Sequence, residues 1–137
     1  MILSPINLAE LVLVAAAYIP GVIGLLQQKQ YLQCSPRIAT AQDMEFFKDF
    51  VRAQMYLTLA FLLCAGPAFI LIFFGRSGHS LLATGLLILP YVPFFVIGRL
   101  SKKLEARIKD KARCSPAFIV EFDAICFAWK KQMFPNF

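Results

Sequence analysis

The stretch MYLTLAFLLCAGPAFILIFF, residues 55–74, contains twenty residues and no Asp, Glu, Lys or Arg. About 20 predominantly apolar residues form a helix long enough to cross a hydrocarbon core about 30 Å thick. Residues 81–98, LLATGLLILPYVPFFVIG, are again free of formal charge. Residues 8–26, LAELVLVAAAYIPGVIGLL, carry only Glu10. A chain of 137 residues that is 59% apolar, with a mean hydropathy of +0.67, has no room for a water-soluble core that would hide all three stretches. The expected fold is therefore all-α: one small membrane domain over residues 1–137, with three transmembrane helices at about 8–26, 55–74 and 81–98.

Charge orients these spans. Of fourteen Lys and Arg residues, thirteen lie between the first and second spans or after the third; Arg76, between the second and third, is the exception. Basic residues stay on the cytoplasmic side. The expected topology is multi-pass, N-terminus outside and C-terminus cytoplasmic, in a plasma or inner membrane. The first stretch lacks the positive flank of a secretory signal, so it reads as an uncleaved first span. Glu10 would sit one turn inside its outer end, with its carboxylate reaching the headgroups.

The excess of six positive charges has this membrane explanation, and no nucleic-acid module accompanies it, so nucleic acid is excluded as a partner. Cys34, Cys114 and Cys126 would face a reducing compartment and Cys64 would lie mid-membrane, so free thiols are expected.

A series of matches suggests an internal repeat. Tyr18-x-Pro20 and Tyr91-x-Pro93 are each followed by Val-Ile-Gly and then Leu. Further on come Cys34-Ser35-Pro36 and Cys114-Ser115-Pro116, then Asp43 and Asp123, Phe47 and Phe127, and Gln54-Met55 and Gln132-Met133. Both copies would cross the membrane in the same direction, as in a parallel repeat. Serine caps a helix start and proline suits its first position. Each Ser-Pro is thus read as a helix start, giving helices over about 36–51 and 116–133.

In the second of these helices Phe118, Phe122, Ile125, Cys126, Trp129 and Met133 share a face, and Phe118, Phe122, Trp129 and Phe134 form an aromatic stripe that would be costly in water. That amphipathic helix suits a membrane interface or a partner's surface, and Phe118, Phe122, Ile125, Trp129 and Met133 are the expected partner-interface residues. On the first helix Asp43, Glu45, Asp49, Lys48 and Arg52 interleave, as on a solvated face.

The segment 99–113 carries seven basic residues: Arg99, Lys102, Lys103, Arg107, Lys109, Lys111 and Arg113. A basic stretch directly after a span is attracted to anionic lipid, by roughly 1 kcal/mol per residue near the surface. These seven are the expected headgroup contacts. Small residues at four-residue spacing, Ala17 and Gly21 in the first span and Ala60, Cys64 and Ala68 in the second, let helix backbones approach. Each span also contains proline, Pro20, Pro67, and Pro90 with Pro93, so kinks are expected.

No metal-ligating pair, phosphate loop or nucleophile–base pair occurs, and the lone His79 sits in the outer turn. No cofactor and no enzymatic activity are expected. The function class this leaves is a small accessory or scaffold subunit of a larger membrane complex, or a homo-oligomer, with anionic lipids and other membrane subunits or itself as partners. A small oligomeric transporter or channel is the alternative.

Overall fold

The computed structural model describes residues 5–34, 37–75 and 81–137. The described residues are organised as five helices: α1 (Pro5–Cys34), α2 (Ala41–Gly75), α3 (Leu81–Ile88), α4 (Val92–Ile108) and α5 (Ile119–Lys131). Three segments are long and apolar enough to cross a membrane: Pro5–Cys34, Ala41–Ile72 and Thr84–Ile108. Arg76, Ser77 and His79, and with them the expected outer turn, lie outside the described residues.

The second span and the helix expected before it form one continuous rod. From Ala41 to Gly75 there are 35 residues. At 1.5 Å per residue this is about 52 Å, which leaves roughly 20 Å beyond a 30 Å hydrocarbon layer. Nothing between Ala41 and Ala65 breaks a helix, since Gly66 and Pro67 are the first such residues. The start of α2 differs from expectation. Ser35 and Pro36 lie outside the described residues, and α2 begins at Ala41. Thr40 and Asp43 close a reciprocal capping box. The Asp43 amide donates to Thr40 Oγ1 (3.2 Å), and the Thr40 amide donates to Asp43 Oδ2 (2.9 Å). At the other expected start, Ser115 precedes a short 3-10 turn, Pro116–Phe118, which leads into α5.

The third span is interrupted. Its helix passes through a 3-10 turn at Leu89–Tyr91 and resumes as α4. Pro90 and Pro93 remove two amide donors here. The Pro90 carbonyl finds a substitute partner in the Tyr18 hydroxyl, which donates to it. The neighbouring Tyr91 hydroxyl donates to Glu10 Oε1 (3.3 Å). Glu10 is fully buried, so it does not reach out to the headgroups as expected; α1 turns it towards the 3-10 turn, where Tyr91 is its donor.

α1 packs antiparallel to α2 and parallel to α4. Tyr18 meets Phe94, Gly21 lies against Phe61 and Ile97, and Tyr31 stacks on Phe50 at 4.3 Å between ring centres. Of the small residues on α1, Ala17 is buried and Gly21 lies at this contact. On α2, Ala68 is buried and Cys64 partly buried, but Ala60 is exposed. Residues four apart advance by about 40° around a helix, so a row of three drifts off the contact line.

The buried core gathers at the basic end of the long helices. Tyr31 of α1, Met44, Phe47, Val51 and Met55 of α2, Ile108, Cys114, and Phe122 and Ile125 of α5 form one buried cluster. Phe47 and Phe122 stack with ring centres 5.0 Å apart. The connectors after α1 and α4 clasp each other above it. The Ile38 amide donates to the Arg113 carbonyl (2.7 Å) and the Ser115 amide to the Ile38 carbonyl (2.9 Å). Lys48 ties α2 to α5 through Glu121 at 2.5 Å, and Lys111 pairs with Asp123 at 2.8 Å.

This core overturns the expected stripe on α5. Phe122 and Ile125 are buried, and Phe118, Cys126 and Trp129 pack beside them, all against the chain's own α1 and α2. The apolar face is real, but its partner is intramolecular. Met133 and Phe134 stay exposed. The matched repeat positions also differ in setting. Phe47 is fully buried whereas Phe127 is 62% exposed, and Asp43 caps α2 whereas Asp123 binds Lys111.

Candidate functional site: a polar seam and a groove at the basic end

Where the apolar part of α1 ends, Gln27 and Gln28 begin a polar stretch. α2 enters the bundle with Gln54, and α4 brings Ser101 to the same level. Gln28 Nε2 donates to Gln54 Oε1 (3.1 Å) and to Ser101 Oγ (3.0 Å), and the Ser101 hydroxyl donates to Gln28 Oε1 (3.1 Å). Gln54 Nε2 donates to Gln27 Oε1 (3.0 Å) and to the Gly24 carbonyl (3.3 Å). Gly24 lies close beneath the seam, where a Cβ would make an ordinary contact 3.5 Å from Gln54 Oε1. Gln28 and Gln54 are both buried, so the seam joins three helices with its polar atoms engaged.

Two cavities flank the seam. The first, about 290 Å³, is lined by Gln28, Gln54, Ser101 and Thr58 among apolar neighbours including Phe61 and Phe94. The second, about 410 Å³, runs between Met55, Leu59 and Leu62 of α2 and the segment 129–133 at the end of α5. Thr58, Glu105 and Trp129 line both. Glu105 is paired with Lys109, whose ammonium also lies 4.5 Å from the centre of the Trp129 ring. A cation over an indole face is held by the ring quadrupole. The groove therefore combines an apolar wall on α2 with a basic rim at Lys130 and Lys131.

The structure divides the basic run. Arg99, Lys102, Lys103 and Arg107 are exposed, with no acidic partner among the described residues. Lys109 is engaged by Glu105 and Trp129, and Lys111 by Asp123, whose hydrogen bond holds the Lys111 ammonium charged above the usual lysine range. Arg113, whose carbonyl takes part in the connector clasp, is half-buried. Lys130 and Lys131, absent from the expected headgroup set, are exposed on the groove rim. They lie outside the run that directly follows the third span, and only folding brings α5 back to the start of the second span.

Cys34 is exposed and Cys114 buried, and the residue paired with Cys114 across the clasp is Ile38. Burial pushes the Cys114 thiol up and raises the Cys126 thiol to about 12, so neither forms a thiolate readily at neutral pH. Among the described residues, no three His, Cys, Asp or Glu side chains gather where they could hold a metal ion. The seam offers amides and a hydroxyl, which hold and orient. No family model matches this chain, and comparison with curated proteins and with solved structures found no match.

Proposed function

We propose that this protein is a small non-catalytic subunit, an accessory or scaffold element of a larger membrane assembly or homo-oligomer. It would be inserted with its N-terminus outside and its basic end in the cytoplasm. The observation that carries this reading is the outer face of α5. That helix is anchored by Phe122 and Ile125, yet on its far side Val120 is 83% and Phe127 62% exposed. The two residues lie seven apart with Ala124 between them, an apolar stripe at helical spacing outside the three candidate spans. Covering each such side chain with a partner's apolar surface contributes roughly 1.5–3 kcal/mol.

The double substitution Val120→Glu with Phe127→Glu leaves the buried face intact. Extracted in mild detergent, the wild-type chain is expected to migrate as part of a complex and the double variant as the free chain. A wild-type chain that is monomeric, or a variant that still assembles, overturns the subunit reading.

The alternative, a small oligomeric transporter or channel, draws support from the 290 Å³ cavity against Gln28, Gln54 and Ser101. Solute flux through liposomes holding this chain alone would favour it. The topology is tested by cysteines at Ser77, which lies outside the described residues, and at exposed Lys103 in a cysteine-free background. An impermeant maleimide is expected to label Ser77→Cys in intact cells and Lys103→Cys only after permeabilisation. Labelling of both from outside excludes the proposed orientation.

A further inference from the structure

We propose that the groove between the start of the apolar part of α2 and the end of α5 binds one anionic phospholipid. The argument begins with position. Met55, Thr58, Leu59 and Leu62 are the first two turns of the uncharged stretch, where a crossing helix leaves the headgroup region for hydrocarbon. Trp129 stands at the same level, as aromatic residues do at membrane boundaries.

The lining is divided as an amphiphile is. Leu59, Leu62 and Met133 supply apolar wall, and Leu62 is 49% and Met133 63% exposed, so acyl chains can enter from the side. Lys130, Lys131 and Gln132, next to Met133 in the segment that faces α2, supply the polar and basic part of the lining. The charges also select the ligand. Glu105 lines the groove but is matched by Lys109, whereas Lys130 and Lys131 have no acidic partner among the described residues. The groove therefore carries an unmatched positive charge, and a phosphodiester is the membrane group that answers it. The tip of α5 is held over this space because Phe122 and Ile125 anchor the helix, and because Arg52 hydrogen-bonds the Phe137 backbone oxygen beyond it. Neither Val120 nor Phe127 lines this groove.

The sole tryptophan, Trp129, lines the groove and reports its occupancy. Delipidated full-length protein in a neutral detergent is titrated with phosphatidylglycerol, phosphatidylcholine, or glycerol phosphate while Trp129 emission is followed. Phosphatidylglycerol is expected to give a saturable change at one per chain, phosphatidylcholine a much weaker one, and glycerol phosphate none. Removing two lysines near a headgroup, Lys130→Gln with Lys131→Gln, should weaken phosphatidylglycerol binding about 30-fold. Lys102→Gln with Lys103→Gln removes the same charge from an exposed helix face and should leave the affinity within about threefold. Equal losses in the two double variants, or equal binding of the two lipids, overturn the proposal. Saturation by glycerol phosphate as tight as by lipid also overturns it and marks a free-phosphate site instead.

Discussion

Replacing Phe122 by alanine is expected to lower the stability of the basic-end core by about 3–5 kcal/mol, the usual cost of deleting a fully buried phenyl ring. Phe122 stacks on Phe47 and packs among Tyr31, Val51 and Ile125, with no exposed surface. The cavity left behind cannot close easily. Its walls belong to α1 and α2, which the clasp at Ile38 and the seam at Gln54 hold in place. The measurement is Trp129 emission against denaturant in detergent, since Trp129 meets Phe50 edge-on and is exposed to water when α5 detaches. The midpoint for Phe122→Ala should fall well below that of the wild type. Phe127→Ala, on the exposed face of the same helix, should stay within about 0.5 kcal/mol. Equal effects of the two substitutions would mean that α5 does not pack on the chain's own helices.

The second large effect is expected at the seam. Gln54→Leu keeps the side-chain volume and removes three hydrogen bonds, those with Gln28, Gln27 and the Gly24 carbonyl. Hydrogen bonds between membrane helices average about 0.6 kcal/mol and reach about 1.7. The three together give an expected loss of about 2 kcal/mol, because Gln28 keeps Ser101 while the Gly24 carbonyl loses its side-chain donor. Thr58→Val, which removes only a bond back to the Gln54 carbonyl in the same helix, serves as the comparison. A Gln54→Leu chain as stable as Thr58→Val would reduce the seam to an incidental contact.

Truncating the chain after Arg113 is a poor way to test for a partner. It removes Phe122 and Ile125 from a core that also contains Tyr31 and Phe47, so lost assembly would follow from lost folding. Substitutions at Val120 and Phe127 separate the two causes, because those side chains point away from the core.

Much of the architecture is written locally in the chain. Uncharged stretches of about twenty residues specify helices that cross hydrocarbon, because backbone groups there must pair within their own segment. The prolines pointed to kinks in all three spans; the helix is interrupted at Pro90 and Pro93, whereas Pro20 and Pro67 lie inside continuous helices. The start of α2 was legible too, in Thr40-x-x-Asp43, but the Ser-Pro pair drew attention five residues too early. The apolar face of α5 could be read from its spacing, since Phe118, Phe122, Ile125 and Trp129 recur with the helical period.

What covers that face could not be read, because periodicity fixes which side of a helix is apolar and says nothing of its neighbour. Only the tertiary structure decided that Phe122 meets Phe47 of the same chain, leaving Val120 and Phe127 as the open side. The same holds for the polar groups. Gln28, Gln54 and Ser101 stand 26 and 47 residues apart in sequence, and each alone reads as the polar end of a span. Antiparallel packing of α1 on α2, with α4 running parallel to α1, brings them to one level and converts three boundary residues into a seam. Lys130 and Lys131 became groove residues for the same reason: only long-range packing sets the depth at which the end of α5 meets the start of the second span.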